Sequence, residues 1–139
     1  MKVLVISLLA LLLAASLAST DELGLLKDRL RAEALGLDPA TGAAPVYDAA
    51  AVQRIRDSLA ALNSEGAWPD VVYNCTQRGG WRTTLHLTRL NELAKAWATP
   101  GCALEGDEAL LEGIHQALGY WLSNDFKCPN WWYNEIWTP

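Results

Sequence analysis

The residues best suited to chemistry lie at the C-terminal end of the sequence, in the run Cys128-Pro-Asn-Trp-Trp-Tyr-Asn-Glu-Ile-Trp-Thr-Pro139. Trp131, Trp132, Tyr133 and Trp137 are interleaved there with Asn130, Asn134 and Glu135. A sugar ring offers a flat C–H face to an aromatic ring and hydroxyls to amides and carboxylates, so tryptophan beside asparagine suits saccharide binding. The competing reading places these tryptophans in the core at the start of a helix. Adjacent Trp131 and Trp132 diverge by about 100° on a helix, so at most one of them can point into a core.

Other reactive groups are sparse. His86 and His115 each fall on an expected helix with no second ligand four residues away, and no Cys/His cluster surrounds either. Both read as surface or hydrogen-bonded core histidines, and neither a metal nor a cofactor is expected. The sequence has no G-x-S-x-G, no phosphate-binding Walker loop and no C-x-x-C. Asp70 and Glu135 stand beside tryptophans in loops, but sequence alone does not make them a catalytic carboxylate pair. Asn74-Cys75-Thr76 is an N-glycosylation sequon, usable in a eukaryotic source. The formal charge of −5 argues against nucleic acid or an anionic membrane as partner.

These groups must be positioned by helices. Leu23, Leu26, Leu30, Ala34 and Leu37 recur at helical spacing, with Gly36 and Pro39 marking the end, and residues 38–45 read as a loop. A second helix is expected from near Asp48, with Val52, Ile55, Leu59 and Leu62 on one face. The stretch from Trp68 to Gly80 has no helical period and reads as an extended loop. Two further helices form a hairpin. The first runs from about Arg82 to Ala98, with Leu87, Leu90, Ala94 and Trp97 inward. The second follows the N-cap Asp107, with Leu110, Leu111, Ile114, Leu118 and Trp121 inward. No segment alternates as a half-buried strand does. The fold expected is all-α, built of antiparallel helical hairpins of the kind that stack into an α/α toroid or solenoid.

The hairpin also constrains the three cysteines. A helix of about 16 residues is about 24 Å long. Cys75 precedes the hairpin and Cys128 follows it, so both lie at its open end, whereas Cys102 lies at the turn. A disulfide needs Cα atoms within about 7 Å. The expected pair is Cys75–Cys128, with Cys102 free or paired elsewhere. A disulfide is expected because the N-terminus points to export into an oxidising compartment. Lys2 precedes an uncharged apolar run from Val3 to Leu17, and Ser16-Leu17-Ala18 supplies the small residues of a cleavage site. Residues 1–18 therefore read as a signal peptide, too short for a membrane span. Residues 19–139 are the expected secreted part, with no membrane association after cleavage. All seven tryptophans lie in the C-terminal half of the chain.

The order of several strings is similar to the N-terminal part of polysaccharide lyase family 8, the family of the hyaluronate, chondroitin AC and xanthan lyases. The strings are Trp68-Pro69-Asp70-Val71, Thr88-Arg89-Leu90, Gly106-Asp107-Glu108-Ala109-Leu110-Leu111, Ala117-Leu118-Gly119-Tyr120-Trp121-Leu122 and Asn130-Trp131-Trp132-Tyr133-Asn134-Glu135-Ile136 with Pro139. The last is the most specific, and the match runs from about Asp21 to Pro139. The resemblance implies an incomplete α/α toroid from an exported lyase that cleaves uronic-acid-containing polysaccharides by β-elimination. It implies an acidic polysaccharide partner of the hyaluronan, chondroitin or xanthan type, contacted by Asn130, Trp131 and Trp132. The family's catalytic Asn, His, Tyr and Arg lie well downstream of this string, so no catalytic residue carries over and residues 19–139 are expected to be an N-terminal fragment of the helical domain. Four or five toroid helices leave apolar faces without neighbours, so marginal stability or association is expected. The family usually has glycine where this chain has Trp137. The alternative expectation is a small secreted carbohydrate-binding or interaction protein without catalysis. A third is a helical structural protein with buried tryptophans.

Overall fold

The computed structural model describes residues 22–137, with the side chains of residues 136 and 137 left aside. The expected signal peptide lies outside the described residues. The chain divides into two compact units, residues 1–45 and 46–139.

In the first unit, residues 22–35 form helix α1. Gly36 ends it at φ 70°, a left-handed conformation that costs glycine little. The Gly36 N–H donates to Glu33 O and the Leu37 N–H to Ala32 O, the paired bonds of a Schellman cap. Asp38 then holds the loop, accepting from the backbone N–H groups of Ala40 and Thr41. The apolar stripe expected on α1 is not its buried face: Leu23, Leu26 and Leu30 are exposed and Leu35 is buried.

The second unit is a stack of helices, α2 (Ala49–Ala60), α3 (Leu85–Ala98) and α4 (Glu108–Asn124). A 3-10 turn, Arg82–Thr84, leads into α3, and a π-helical turn spans Tyr133–Trp137. Among the described residues there is no strand and no helix long and apolar enough to cross a membrane. Asp48 caps α2 by accepting from Ala51 N, and Asp107 caps α4 by accepting from Leu110 N. Asp125, at φ 44°, ends α4.

Helix α3 packs on both α2 and α4. It runs antiparallel to α4, because His86 at its start bonds Ala117 late in α4 while Trp97 at its end bonds Gly106 before α4. The inward face of α3 is rotated from the one expected. His86, Leu90, Leu93 and Ala96 are buried, and Leu87 and Trp97 are half-buried. On α4 the buried residues are Leu110, Gly113 and Ala117, whereas Leu118 is exposed. Gly113 allows the close approach of Leu59 from α2. Gly66, at φ 87°, lies against the Gln116 carbonyl, where any Cβ would collide with backbone.

The loop between α2 and α3 is irregular, as expected, yet it supplies the centre of the core. Trp68 is fully buried, with Val71 beside it. A second, smaller cluster gathers Cys75, Trp81 and Cys128, with Trp121, Phe126 and Tyr133 packed around them.

Candidate functional site

The aromatic end of the chain is pinned to the loop that precedes α3. The Asn134 side chain closes a two-point clamp on Cys128, accepting from its N–H at 2.8 Å and donating to its carbonyl at 2.8 Å. Asn130 donates through Nδ2 to Arg78 O at 3.0 Å, and its Oδ1 accepts from the Trp132 N–H at 3.2 Å. The Tyr133 hydroxyl accepts from Gly80 N, and its ring stands edge-on to Trp81. Each of these bonds joins the 128–134 segment to itself or to residues 78–81, so the backbone under Trp131 and Trp132 is held from both sides. The two indoles are left in solvent, Trp131 at 64% and Trp132 at 42% exposure. Trp132 is also steered by the perpendicular ring of Tyr133, centroid to centroid 5.4 Å. Both tryptophans thus escape the core. Asn130 uses both ends of its amide to shape the turn that presents them.

Trp132 forms part of a groove of about 610 Å³ whose lining includes Asp70, Trp81, Arg82, Thr88 and Tyr133. Asn130 and Trp131 do not line it. Among the described residues, Asp70 is the one acidic liner and Arg82 the one basic liner. The Asp70 carboxylate receives a bidentate pair of bonds from Arg89, both 2.6 Å. That hydrogen bonding holds the Asp70 carboxyl below the usual range and raises the Arg89 guanidinium. Arg89 in turn lies over the Trp68 ring, 5.7 Å from its centroid. Thr84 and Thr88 donate their hydroxyls to backbone carbonyls one turn back, leaving their lone pairs to accept. The floor residue Trp81 is buried, and its indole N–H has no partner among the described residues. Arg82 and the Asp70–Arg89 clamp were missed by sequence reasoning, although Trp68-Pro69-Asp70 and Thr88-Arg89 both stood out as strings. No periodicity links residues 19 positions apart.

His86 is a fully buried, hydrogen-bonded core residue rather than a reactive one. Its Nε2 bonds the Ala117 carbonyl at 2.9 Å and its Nδ1 faces the Tyr73 hydroxyl at 2.9 Å. A carbonyl only accepts, so Nε2 carries the proton and Nδ1 accepts from Tyr73. The same hydroxyl accepts from Trp68 N, and the Trp68 indole donates to Ser58 O. Burial pushes the His86 pKa down. His115 is exposed on α4. Among the described residues no three His, Cys, Asp or Glu side chains gather as metal ligands would.

The three cysteines are buried free thiols, so the bond expected between Cys75 and Cys128 is not formed here. The Cys128 sulfur is engaged otherwise, donating to Gln77 O and accepting from Asn130 N. Cys75 and Cys128 do share one apolar cluster, and Cys102 belongs to the other. Asn74 is exposed in its turn, beside the buried Cys75.

Comparison with known proteins gives a consistent result. Residues 47–139 match the polysaccharide lyase family 8, N-terminal alpha-helical domain. Chondroitinase-AC of Pedobacter heparinus is 34% identical over 82 residues, which cover 59% of this chain and 12% of that enzyme. A solved structure of chondroitinase AC lyase, from work on its active site with oligosaccharide complexes, superposes with a TM-score of 0.57 at 31% identity. That superposition covers 63% of this chain and 13% of the other. The chain therefore spans about an eighth of the length of these relatives, and its hairpins are those of an incomplete α/α toroid.

Proposed function

The chain belongs to polysaccharide lyase family 8, and on that premise we propose that it forms one wall of the cleft in which an exported lyase holds an acidic polysaccharide for β-elimination. The observation that carries this reading is the exposure of Trp131 and Trp132 on a backbone fixed by Asn130, Tyr133 and Asn134. Exposed indoles carried on a backbone already fixed bind a sugar face at lower entropic cost than indoles on a loose loop. Chondroitinase-AC is the relative that points to a uronic-acid-containing polymer, of the hyaluronan, chondroitin or xanthan type.

In the elimination a base removes the C5 proton of a uronic acid residue. The electron pair becomes the C4–C5 double bond, the C4–O bond breaks, and an acid protonates the leaving oxygen. No histidine lines the Trp132 groove, and His86 is buried with both ring nitrogens engaged. The residues of this chain bind and orient, and proton transfer belongs to the remainder of the longer enzyme. On export, Cys75 and Cys128 meet oxidising conditions and close to a disulfide, which peptide mapping without reduction would detect. In a eukaryotic host Asn74 carries a glycan.

The test is a titration of the chain with hyaluronan or chondroitin oligosaccharides, followed by tryptophan fluorescence. Binding is expected, with affinity lost in Trp131→Ala and Trp132→Ala and no unsaturated product absorbing in the far ultraviolet. Undiminished affinity in both variants, or sustained product formation by the chain alone, contradicts the proposal.

A further inference from the structure

The charge along the Trp132 groove is distributed in a way that the saccharide-wall reading does not itself require. Although the chain carries a formal charge of −5, the groove is locally positive. Among the described residues its one acidic liner, Asp70, is neutralised by the bidentate Arg89, and its one basic liner, Arg82, makes no ion pair. Arg82 is exposed, yet its backbone is fixed. It sits between Trp81, 2% exposed, and Thr83, fully buried. The Thr83 hydroxyl donates to Val72 O at 2.9 Å, and the Thr84 N–H donates to Trp81 O. A guanidinium on a fixed backbone, with no ion pair among the described residues, beside an exposed indole suits planar or tetrahedral anions.

We propose that Arg82 reads an anionic group of the polysaccharide, a uronate carboxylate or a sulfate ester, while the adjoining sugar lies on Trp132. The inference rests on the saccharide-wall reading and adds a selection rule to it. Arg82 makes the groove prefer charged repeats over neutral ones of the same shape. Arg89 does not share this role, because its fork is occupied by Asp70 and its position over Trp68 is structural.

The experiment compares the full chain with Arg82→Gln, Arg82→Lys and Trp132→Ala by calorimetric titration. The probes are a hyaluronan hexasaccharide, the same hexasaccharide with its carboxyl groups reduced, and a chondroitin sulfate hexasaccharide. Arg82→Gln should weaken hyaluronan binding about tenfold, flatten its salt dependence, and leave affinity for the reduced hexasaccharide unchanged. Arg82→Lys restores only part of the loss, since an ammonium lacks the fork. Trp132→Ala should weaken all three probes. A loss in Arg82→Gln confined to the sulfated probe assigns the contact to the sulfate ester rather than the carboxylate. Equal affinity of Arg82→Gln and the parent for both charged probes overturns the role of Arg82 while leaving the aromatic wall intact. Failure of the parent to bind any probe overturns both. Because Arg82 is exposed and makes no ion pair among the described residues, its variants should melt with the parent, and the melting curve checks that the loss is one of binding.

Discussion

Replacing Tyr73 by phenylalanine removes one oxygen from the relay that ties the α2–α3 loop to the helical hairpin. The hydroxyl accepts from Trp68 N at 3.0 Å and donates to His86 Nδ1 at 2.9 Å. His86 passes the connection to Ala117 O in α4. Trp68 and His86 are both fully buried, so no bulk water replaces the lost partner. The aromatic packing survives, because the ring stacked on Phe126 at 5.1 Å is retained. The cost is therefore that of two buried polar groups left unpaired, about 1–3 kcal/mol each. A total of about 2–4 kcal/mol allows some relaxation, and lowers Tm by roughly 10–25 °C in a unit of this size. Thermal and urea unfolding followed by circular dichroism would measure it, and a double-mutant cycle with His86→Leu should show coupling of at least about 1 kcal/mol. A Tm within about 2 °C of the parent would refute the relay. So would additive single-variant effects.

The same histidine sets a pH dependence. Its folded pKa lies below the ordinary value of 6.5, so the unfolded chain takes up the proton first. The stability it contributes is complete above about pH 6.5 and is lost as pH falls toward the depressed folded value, at up to about 1.4 kcal/mol per pH unit. Melting curves between pH 7.5 and 5 should show this slope in the parent and lose it in His86→Leu. Gly66→Ala should destabilise by roughly 2–5 kcal/mol, combining left-handed strain with a collision at the Gln116 carbonyl, and a urea titration tests it. Leu118 and Leu122 are 41% and 68% exposed on the outer face of α4. Sedimentation should detect self-association through that face, reduced in the Leu118→Lys, Leu122→Lys double variant without loss of Tm.

The helices were legible where local chemistry decides them. Asp48 and Asp107 are caps because a short carboxylate reaches the first free N–H groups of a helix, and Gly36 ends α1 because only glycine takes φ 70° cheaply. The inward face of α3 was misjudged because hydrophobic periodicity counts histidine as polar. His86 is buried all the same, since Tyr73 and Ala117 satisfy both ring nitrogens. Leu118 erred in the opposite sense, an apolar residue at helical spacing that faces solvent. Trp68 gave no periodic signal, lying in a loop, yet that loop inserts the indole at the centre of the core. At the candidate site, the aromatic string pointed to Trp131 and Trp132, and the structure leaves both exposed. The polar companions were less transparent. Asn130 spends its amide on Arg78 and Trp132, and the charge of the groove depends on Asp70, Arg82 and Arg89, which only the folded chain brings together.

In the proposed cleft wall the saccharide meets Trp132 and Trp131 and not the buried tryptophans. The indole N–H signals of the seven tryptophans in a two-dimensional NMR spectrum, assigned by single substitution, test it directly. On adding a chondroitin or hyaluronan hexasaccharide, the signals of Trp131 and Trp132 should shift in proportion to occupancy, with a smaller shift at Trp81 in the groove floor and none at Trp68. A spectrum unchanged at saturating oligosaccharide would contradict that placement, as would shifts confined to Trp68 and Trp97.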